Sequence, residues 1–225
     1  MNLTHIAFIV DGNSTWAKER EVPQLEGYRA GMRAVASTVI AAHEFHIKYV
    51  TFYIFSSENW HRPASWILDF MNLARCFFDE GEQIKWMLEI GARLMVIGDK
   101  TKLGPEFLNI LNKLEEKTKD NNGIFVQLAI SYGSRDEIVR AARRMLDLGI
   151  NFTETNISNN LDTAGIPDPQ LIVRTGRKQR LSNFLMWQAS YSELYFPPIL
   201  WPDFDKVQLQ IAIDEFYTRE RTYGR

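Results

Sequence analysis

The sequence predicts an α/β fold: one domain, residues 1–225, with a central, mainly parallel β-sheet flanked by helices. Three observations carry that prediction. Short runs such as residues 6–10 (IAFIV) are apolar at consecutive positions, as strands covered on both faces must be. They alternate with segments of helical period along the whole chain, which is the pattern of β–α–β units. At 225 residues the chain is long enough to bury one such core without staples.

Taken in order, residues 4–10 form the first strand, stopped by Asp11-Gly12-Asn13. Residues 31–45 place Met32, Val35, Val39 and Ala42 near helical spacing, so they form a helix. Residues 49–55 are aromatic and β-branched, a second strand. Pro63 suits the first turn of a helix that runs to about residue 90. A strand at 94–97, a helix at 105–119, a strand at 124–130, a helix at 136–148 and a strand at 171–173 continue the alternation. The polar, poorly periodic stretch 151–169 is expected to be an irregular, mobile connection. A strand at 194–196 and a helix from 206 to Arg221 end the order.

Composition narrows the function classes. A net charge of -2 gives no global field to recruit nucleic acid, so any anion site is a local cluster. The single cysteine, Cys76, rules out a disulfide framework and points to a reducing, cytoplasmic setting. Lying in an apolar helical run, it reads as a buried small hydrophobe. The first apolar run is cut off at Asp11, which favours a strand over a signal peptide. Residues 66–78 are interrupted by Asp69, Asn72 and Arg75 and fall short of the roughly 20 apolar residues that span a bilayer.

Three chemical clusters each follow a predicted strand: Asp11-Gly12-Asn13, Ser56-Ser57-Glu58-Asn59-Trp60, and Arg174-Thr175-Gly176 leading to Arg180-Leu181-Ser182-Asn183. In an open α/β sheet that is where ligands bind. A carboxylate and a glycine turn facing guanidinium groups and a hydroxyl suit metal-assisted binding of a diphosphate. Each cluster also has a plain reading, as an Asx turn, a helix start and a solvated basic loop respectively. The G-x-x-x-x-G-K-[ST], G-x-G-x-x-G and G-x-S-x-G signatures do not occur. His43 and His46, three apart on a helix, lack a third zinc ligand nearby.

Together these segments, with Trp16-Ala17-Lys18, Gly27, Arg29-Ala30-Gly31, Arg62-Pro63, Tyr132-Gly133, Glu193-Leu194-Tyr195-Phe196 and Trp201-Pro202-Asp203-Phe204, resemble the cis-prenyltransferases of the undecaprenyl diphosphate synthase type. The resemblance runs over essentially the whole chain. It implies a homodimer, an apolar tunnel, peripheral contact with a membrane, and Mg2+. The implied reaction condenses isopentenyl diphosphate with an allylic diphosphate such as farnesyl diphosphate, giving a polyprenyl product that serves as a cell-wall lipid carrier. Asp11 matches the family's essential, metal-handling aspartate, and Glu193 a metal-linked carboxylate given to the neighbouring subunit's site in some family structures. Gly12, Asn13, Ser14, Thr15, Trp16, Gln24 and Tyr28 match the allylic side. Arg174, Arg180 and Ser182 match the isopentenyl side. Ser57, Glu58, Trp60 and Arg62 match the substrate loop, where Ser56 and Asn59 are tied to positioning and proton removal.

The departures are specific. The usual D-G-N-G-R-W has Ser14 and Thr15 in place of glycine and arginine, and Gln24 and Tyr28 replace a basic residue and a histidine. The usual T-[GS]-G-E reads Thr175-Gly176-Arg177-Lys178, so Arg177 or Lys178 is a candidate for restoring the lost charge. Ile54 stands where the family often has a small residue, and bulk there is associated with short products. A noncatalytic lipid-diphosphate-binding subunit on the same fold is the alternative, but such relatives tend to lack the first aspartate.

Overall fold

The computed structural model describes residues 2–79 and 82–220. The first half of the chain runs β1 (His5–Ile9), α1 (Asn13–Glu19), α2 (Gln24–Glu44), β2 (Tyr49–Ser56), α3 (Ala64–Asp79), α4 (Glu82–Glu89), β3 (Arg93–Ile97) and α5 (Pro105–Thr118). It continues with β4 (Phe125–Tyr132), α6 (Ser134–Asp147), α7 (Glu154–Asn160), β5 (Leu171–Arg174), β6 (Glu193–Tyr195) and α8 (Lys206–Thr218). The six strands make one sheet in the order β3-β4-β2-β1-β5-β6, and every ladder is parallel.

Chain order reverses at β1. Its successor β2 lies on one side, while β5 lies on the other, with Ile9 opposite Arg174. Helices that leave β1 and β5 in opposite directions open a crevice at the carboxyl ends of these strands. All five residues of β1 are buried. One face stacks Phe8 on Phe52 at 5.0 Å and meets the stacked pair Trp201 and Phe204. The other face stacks Tyr53 on Phe184 at 4.6 Å, with Tyr132 edge-on. This double burial is why the strand runs are apolar without alternation.

Three expectations change. First, residues 151–169 are not wholly irregular: they contain α7, whose start is capped by the Thr153 hydroxyl accepting the Asn156 N–H. Arg140 grips Asp162 with two nitrogens at 2.8 and 2.6 Å, and the Asp162 N–H donates to buried Glu137. Burial raises the Glu137 carboxyl above its ordinary range, against donation from Tyr132 and Gln188. Polar contacts rather than an apolar stripe hold this segment, so no hydrophobic period marks it. Second, Cys76 is exposed. Phe70, Ala74 and Phe78 form the buried stripe of α3, and Cys76 lies two positions from Ala74, on the opposite side of the helix. Third, α2 begins at Gln24, right after Pro23, well before the periodic apolar positions. The single helix expected over 63–90 is described as α3 and α4, with 80 and 81 outside the described residues, as is Arg221.

A polar thread crosses three central strands. His5 Nδ1 lies 2.6 Å from the Pro167 carbonyl and Nε2 2.8 Å from Thr51 Oγ1, which is 2.8 Å from the Gln127 amide. A carbonyl only accepts, so His5 is protonated at Nδ1. A neutral ring then takes the Thr51 hydrogen on Nε2, and the buried Gln127 nitrogen, otherwise without a partner, faces Thr51 once the amide is turned over. Burial lowers the His5 pKa to about 4, against the Pro167 contact that raises it. The unfolded chain therefore binds the proton more readily, and this contribution is complete above about pH 6.5 and lost as pH falls towards 4. The expected loss is about 3 kcal/mol across that window. Urea unfolding at pH 7.5 and 4.5 checks it: His5→Gln should flatten the difference between the two pH values.

Candidate active site

The crevice is assembled from three interlocked segments. Gly12, at φ 115, turns the chain from β1 into α1, and a Cβ there would lie 3.0 Å from the Leu200 backbone. The Asp11 carbonyl accepts the Thr175 hydroxyl at 2.7 Å and the Trp201 N–H at 3.0 Å. Gly176, at φ 82, passes so close that a Cβ would sit 2.8 Å from Asp11 Cβ and Cγ. The first helical bond of α1 is Trp16 N–H to the Gly12 carbonyl, which leaves the N–H groups of Asn13, Ser14 and Thr15 unused by the helix.

Arg174 is the centre of the β5 side. It is only 4% exposed, and its Nη2 pairs with Asp11 Oδ2 at 2.7 Å. Its Nη1 donates to the Arg180 carbonyl at 2.6 Å and Ser182 Oγ at 2.7 Å. Its Nε is buried with no hydrogen-bond partner among the described residues. The strand-end loops are tied by Asn183, which donates to Glu58 at 2.9 Å and accepts from the Arg135 N–H. Partial burial works against ionisation of Glu58, but hydrogen bonds led by Asn183 hold the carboxyl below its ordinary range.

The opposite wall comes from α1, α2 and the start of α3. Gly27 and Gly31 let α2 approach α1 closely: a Cβ at Gly31 would fall 2.0 Å from Asn13 Oδ1. Gln24 Nε2 donates to Ser14 Oγ at 2.8 Å, Ser14 and Tyr28 share a hydrogen bond of 2.9 Å, and Trp66 Nε1 donates to the Tyr28 hydroxyl at 3.1 Å. Arg62 lies over the Trp66 ring at 4.3 Å. Asn59 Oδ1 is taken by the Ser56 N–H, so the amide offers the cavity donors rather than an acceptor.

Between the walls is a cavity of about 600 Å³. Asp11, Gly12, Asn13, Ser14, Thr15, Gln24, Tyr28, Ser56, Asn59, Arg62, Arg174, Arg180 and Ser182 all line it. Met32, Val35 and Ile54 floor it and continue into an apolar pocket of about 30 Å³ among Val39, Phe77, Phe78 and Leu128. Tyr53 and Trp201 also line the cavity, unforeseen because each reads as an ordinary buried aromatic.

Other expected site residues lie elsewhere. Trp16 donates to Asp203 at 2.7 Å and carries the Arg20 guanidinium on its ring, bracing α1 from outside. Ser57 and Glu58 belong to the Asn183 tie, and Trp60 donates to Ser131. Glu193 is opposite Leu171, three residues before the strand end at Arg174, and pairs with Arg219 at 3.0 Å. It does not meet Asp11 within this chain. Arg177, at φ 59, pairs with Glu19 at 2.8 Å and does not line the cavity; neither does Lys178. The loop cations therefore add no charge to the cavity wall made by α1 and α2.

The family model described as putative undecaprenyl diphosphate synthase matches residues 9–224. The chain belongs to this family of isoprenyl transferases. It is 45% identical to isoprenyl transferase 2 of Bradyrhizobium diazoefficiens, over 98% of this chain and 89% of the relative. Among solved structures, it superposes on a probable undecaprenyl diphosphate synthase from Campylobacter jejuni with TM-score 0.85 at 35% identity, covering 100% of both chains. It also superposes on lavandulyl diphosphate synthase from Lavandula x intermedia in complex with dimethylallyl diphosphate, with TM-score 0.94 at 30% identity, covering 99% of this chain and 98% of that one.

Gly176 links backbone geometry to the site of this transferase. Gly176→Ala should destabilise the protein by about 1–3 kcal/mol, from the left-handed backbone and the collision with Asp11. Thermal melting of the variant checks it, and an unchanged midpoint would show that the loop yields freely.

Proposed function

We propose that the protein catalyses cis-prenyl transfer, condensing isopentenyl diphosphate with an allylic diphosphate. The observation that carries this reading is the Asp11–Arg174 pair at the β1/β5 switch, set over an apolar floor. A guanidinium network and a carboxylate suit the diphosphate heads, while Met32, Val35 and Ile54 suit the hydrocarbon. Arg174, fixed by Asp11, the Arg180 carbonyl and Ser182, supplies donors to one diphosphate together with the exposed Arg180; Asn13, Ser14 and Tyr28 face the other. Asn59 donates towards the reacting ends from a position held by the Ser56 backbone. Preorganised donors of this kind stabilise charge as it develops on a leaving diphosphate, with no reorganisation at the moment of reaction.

The residues fit Mg2+. The Arg174 bridge uses Oδ2 of Asp11, and no other side-chain hydrogen bond to this carboxylate occurs among the described residues, so Oδ1 is left for a cation. No group of three or more His, Cys, Asp or Glu gathers among the described residues. That suits a cation that is held by one carboxylate and completed by substrate oxygens and water. When bound, magnesium would neutralise part of the charge on the departing diphosphate.

A short product is favoured over an undecaprenyl one by a specific observation. The apolar pocket beyond Ile54 is narrow, about 30 Å³. The likeness to a solved complex with dimethylallyl diphosphate supports a small allylic partner as well. A homodimer is supported by the short edge strand β6 and by exposed Met186 and Tyr191 near it in the chain. No helix among the described residues is long and apolar enough to cross a membrane, so membrane contact is proposed as peripheral, for an apolar product.

Two measurements test the reading, both on the purified chain with magnesium, labelled isopentenyl diphosphate and either dimethylallyl or farnesyl diphosphate. Asp11→Ala should lower turnover by at least about a hundredfold with the fold intact; near-normal product from a folded variant would remove Asp11 from the mechanism. Ile54→Ala should open the apolar end and lengthen the extracted products. An unchanged product ladder would place the length limit elsewhere.

A further inference from the structure

Neither α1 nor α2 gives a cation to the cavity, although Arg174 and Arg180 face it from the β5 side. Apart from Arg62, stacked on Trp66 at the start of α3, this wall carries no charge, only the linked side chains Gln24, Ser14, Tyr28 and Trp66. Their hydrogens can be counted. An indole N–H only donates, and with the Gln24 amide presenting its NH2, as it does here, both ends of the chain point hydrogens inwards, at the Tyr28 oxygen and Ser14 Oγ. Two hydroxyl hydrogens remain, and only one fits in the 2.9 Å gap between these oxygens. The other finds no acceptor among the described residues. If Ser14 donates across the gap, the Tyr28 hydrogen is left over; if Tyr28 donates, the Ser14 hydrogen is. Both residues line the cavity.

We propose that Ser14 and Tyr28 jointly present one neutral donor hydrogen, deliverable from either oxygen, to an anionic oxygen of the allylic diphosphate. This rests on the diphosphate reading above and deepens it. A hydrogen bond from a neutral hydroxyl to an anionic oxygen is charge-assisted, so one well-held hydroxyl substitutes in part for a cation. Trp66 and Gln24 act as positioning residues: they occupy the acceptor sites of the two hydroxyls, which leaves the spare hydrogen directed to the ligand.

Redundancy is the signature of this arrangement. In Tyr28→Phe, Ser14 still accepts from Gln24 and its own hydrogen is released to the cavity. In Ser14→Ala, Tyr28 still accepts from Trp66 and keeps a free hydrogen. Only removal of both hydroxyls removes the donor. If instead the chain merely ties α3 to α1, either single variant breaks it and carries the whole loss.

The test is calorimetric titration of the full chain with dimethylallyl and farnesyl S-thiolodiphosphate, allylic analogues that do not ionise. Each single variant should weaken binding only about two- to threefold, and Ser14→Ala/Tyr28→Phe about ten- to a hundredfold, a non-additive cycle. A matched pair in the Tyr28→Phe background guards against misfolding: Ser14→Thr should bind like Tyr28→Phe alone, and its isostere Ser14→Val like the double variant. Full loss in either single variant, additive losses, or equal binding by the Thr and Val variants would overturn the proposal. Failure of the parent chain to bind either analogue would overturn the diphosphate reading itself, and the proposal with it.

Discussion

The Asp11–Arg174 ion pair is the constraint around which the crevice is organised. A guanidinium that is 4% exposed must have its charge answered, and leaving such a group unpaired costs roughly 3–5 kcal/mol. Asp11 answers from the end of β1, which fixes how that strand end meets the end of β5. The same guanidinium holds the Arg180 carbonyl and the Ser182 hydroxyl, so the loop after β5 curls back over its own strand. Gly176 is required because the loop passes over Asp11 without room for a side chain. The Arg174 Nε is buried and has no protein partner among the described residues.

The walls of the cavity differ in kind. On the β5 side, the Arg174 guanidinium is held by a carboxylate, a backbone carbonyl and a hydroxyl. On the α1–α2 side, hydroxyls and amides are held by one another. The family's usual glycine, basic residue and histidine are changed together here, to Ser14, Gln24 and Tyr28, and the three replacements touch in a line. A change at one of these positions is therefore a change in the hydrogen bonding of the others. Arg177 does not refill the charge. Its partner is Glu19 at the far end of α1, so the basic loop braces that helix from outside the cavity.

Most of the framework was legible because it depends on local rules. Strands buried on both faces are apolar at most positions, and α5 begins at a recognisable proline, whereas the start of α2 at Gln24 precedes its apolar stripe. The exceptions share a cause. The α7 region is held by Arg140, Asp162 and Glu137, and a helix fixed by polar contacts has no hydrophobic period to read. Cys76 was misplaced because a generally apolar helix does not reveal which of its faces is inward until the partner is known.

By itself, the sequence determined the alternation of strands and helices, the acid at the end of β1, the guanidinium at the end of β5, and the family whose motifs contain them. These are properties of short segments, set by burial and turn chemistry. Tertiary structure alone decided which side chains share the cavity. It drew Tyr53 and Trp201 in, left Trp16, Trp60 and Glu193 outside, and joined Gln24, Ser14, Tyr28 and Trp66 across three helices. The reason is distance along the chain: contacts such as Arg174 with Asp11, 163 residues apart, depend on strand order and helix packing, which no local pattern encodes.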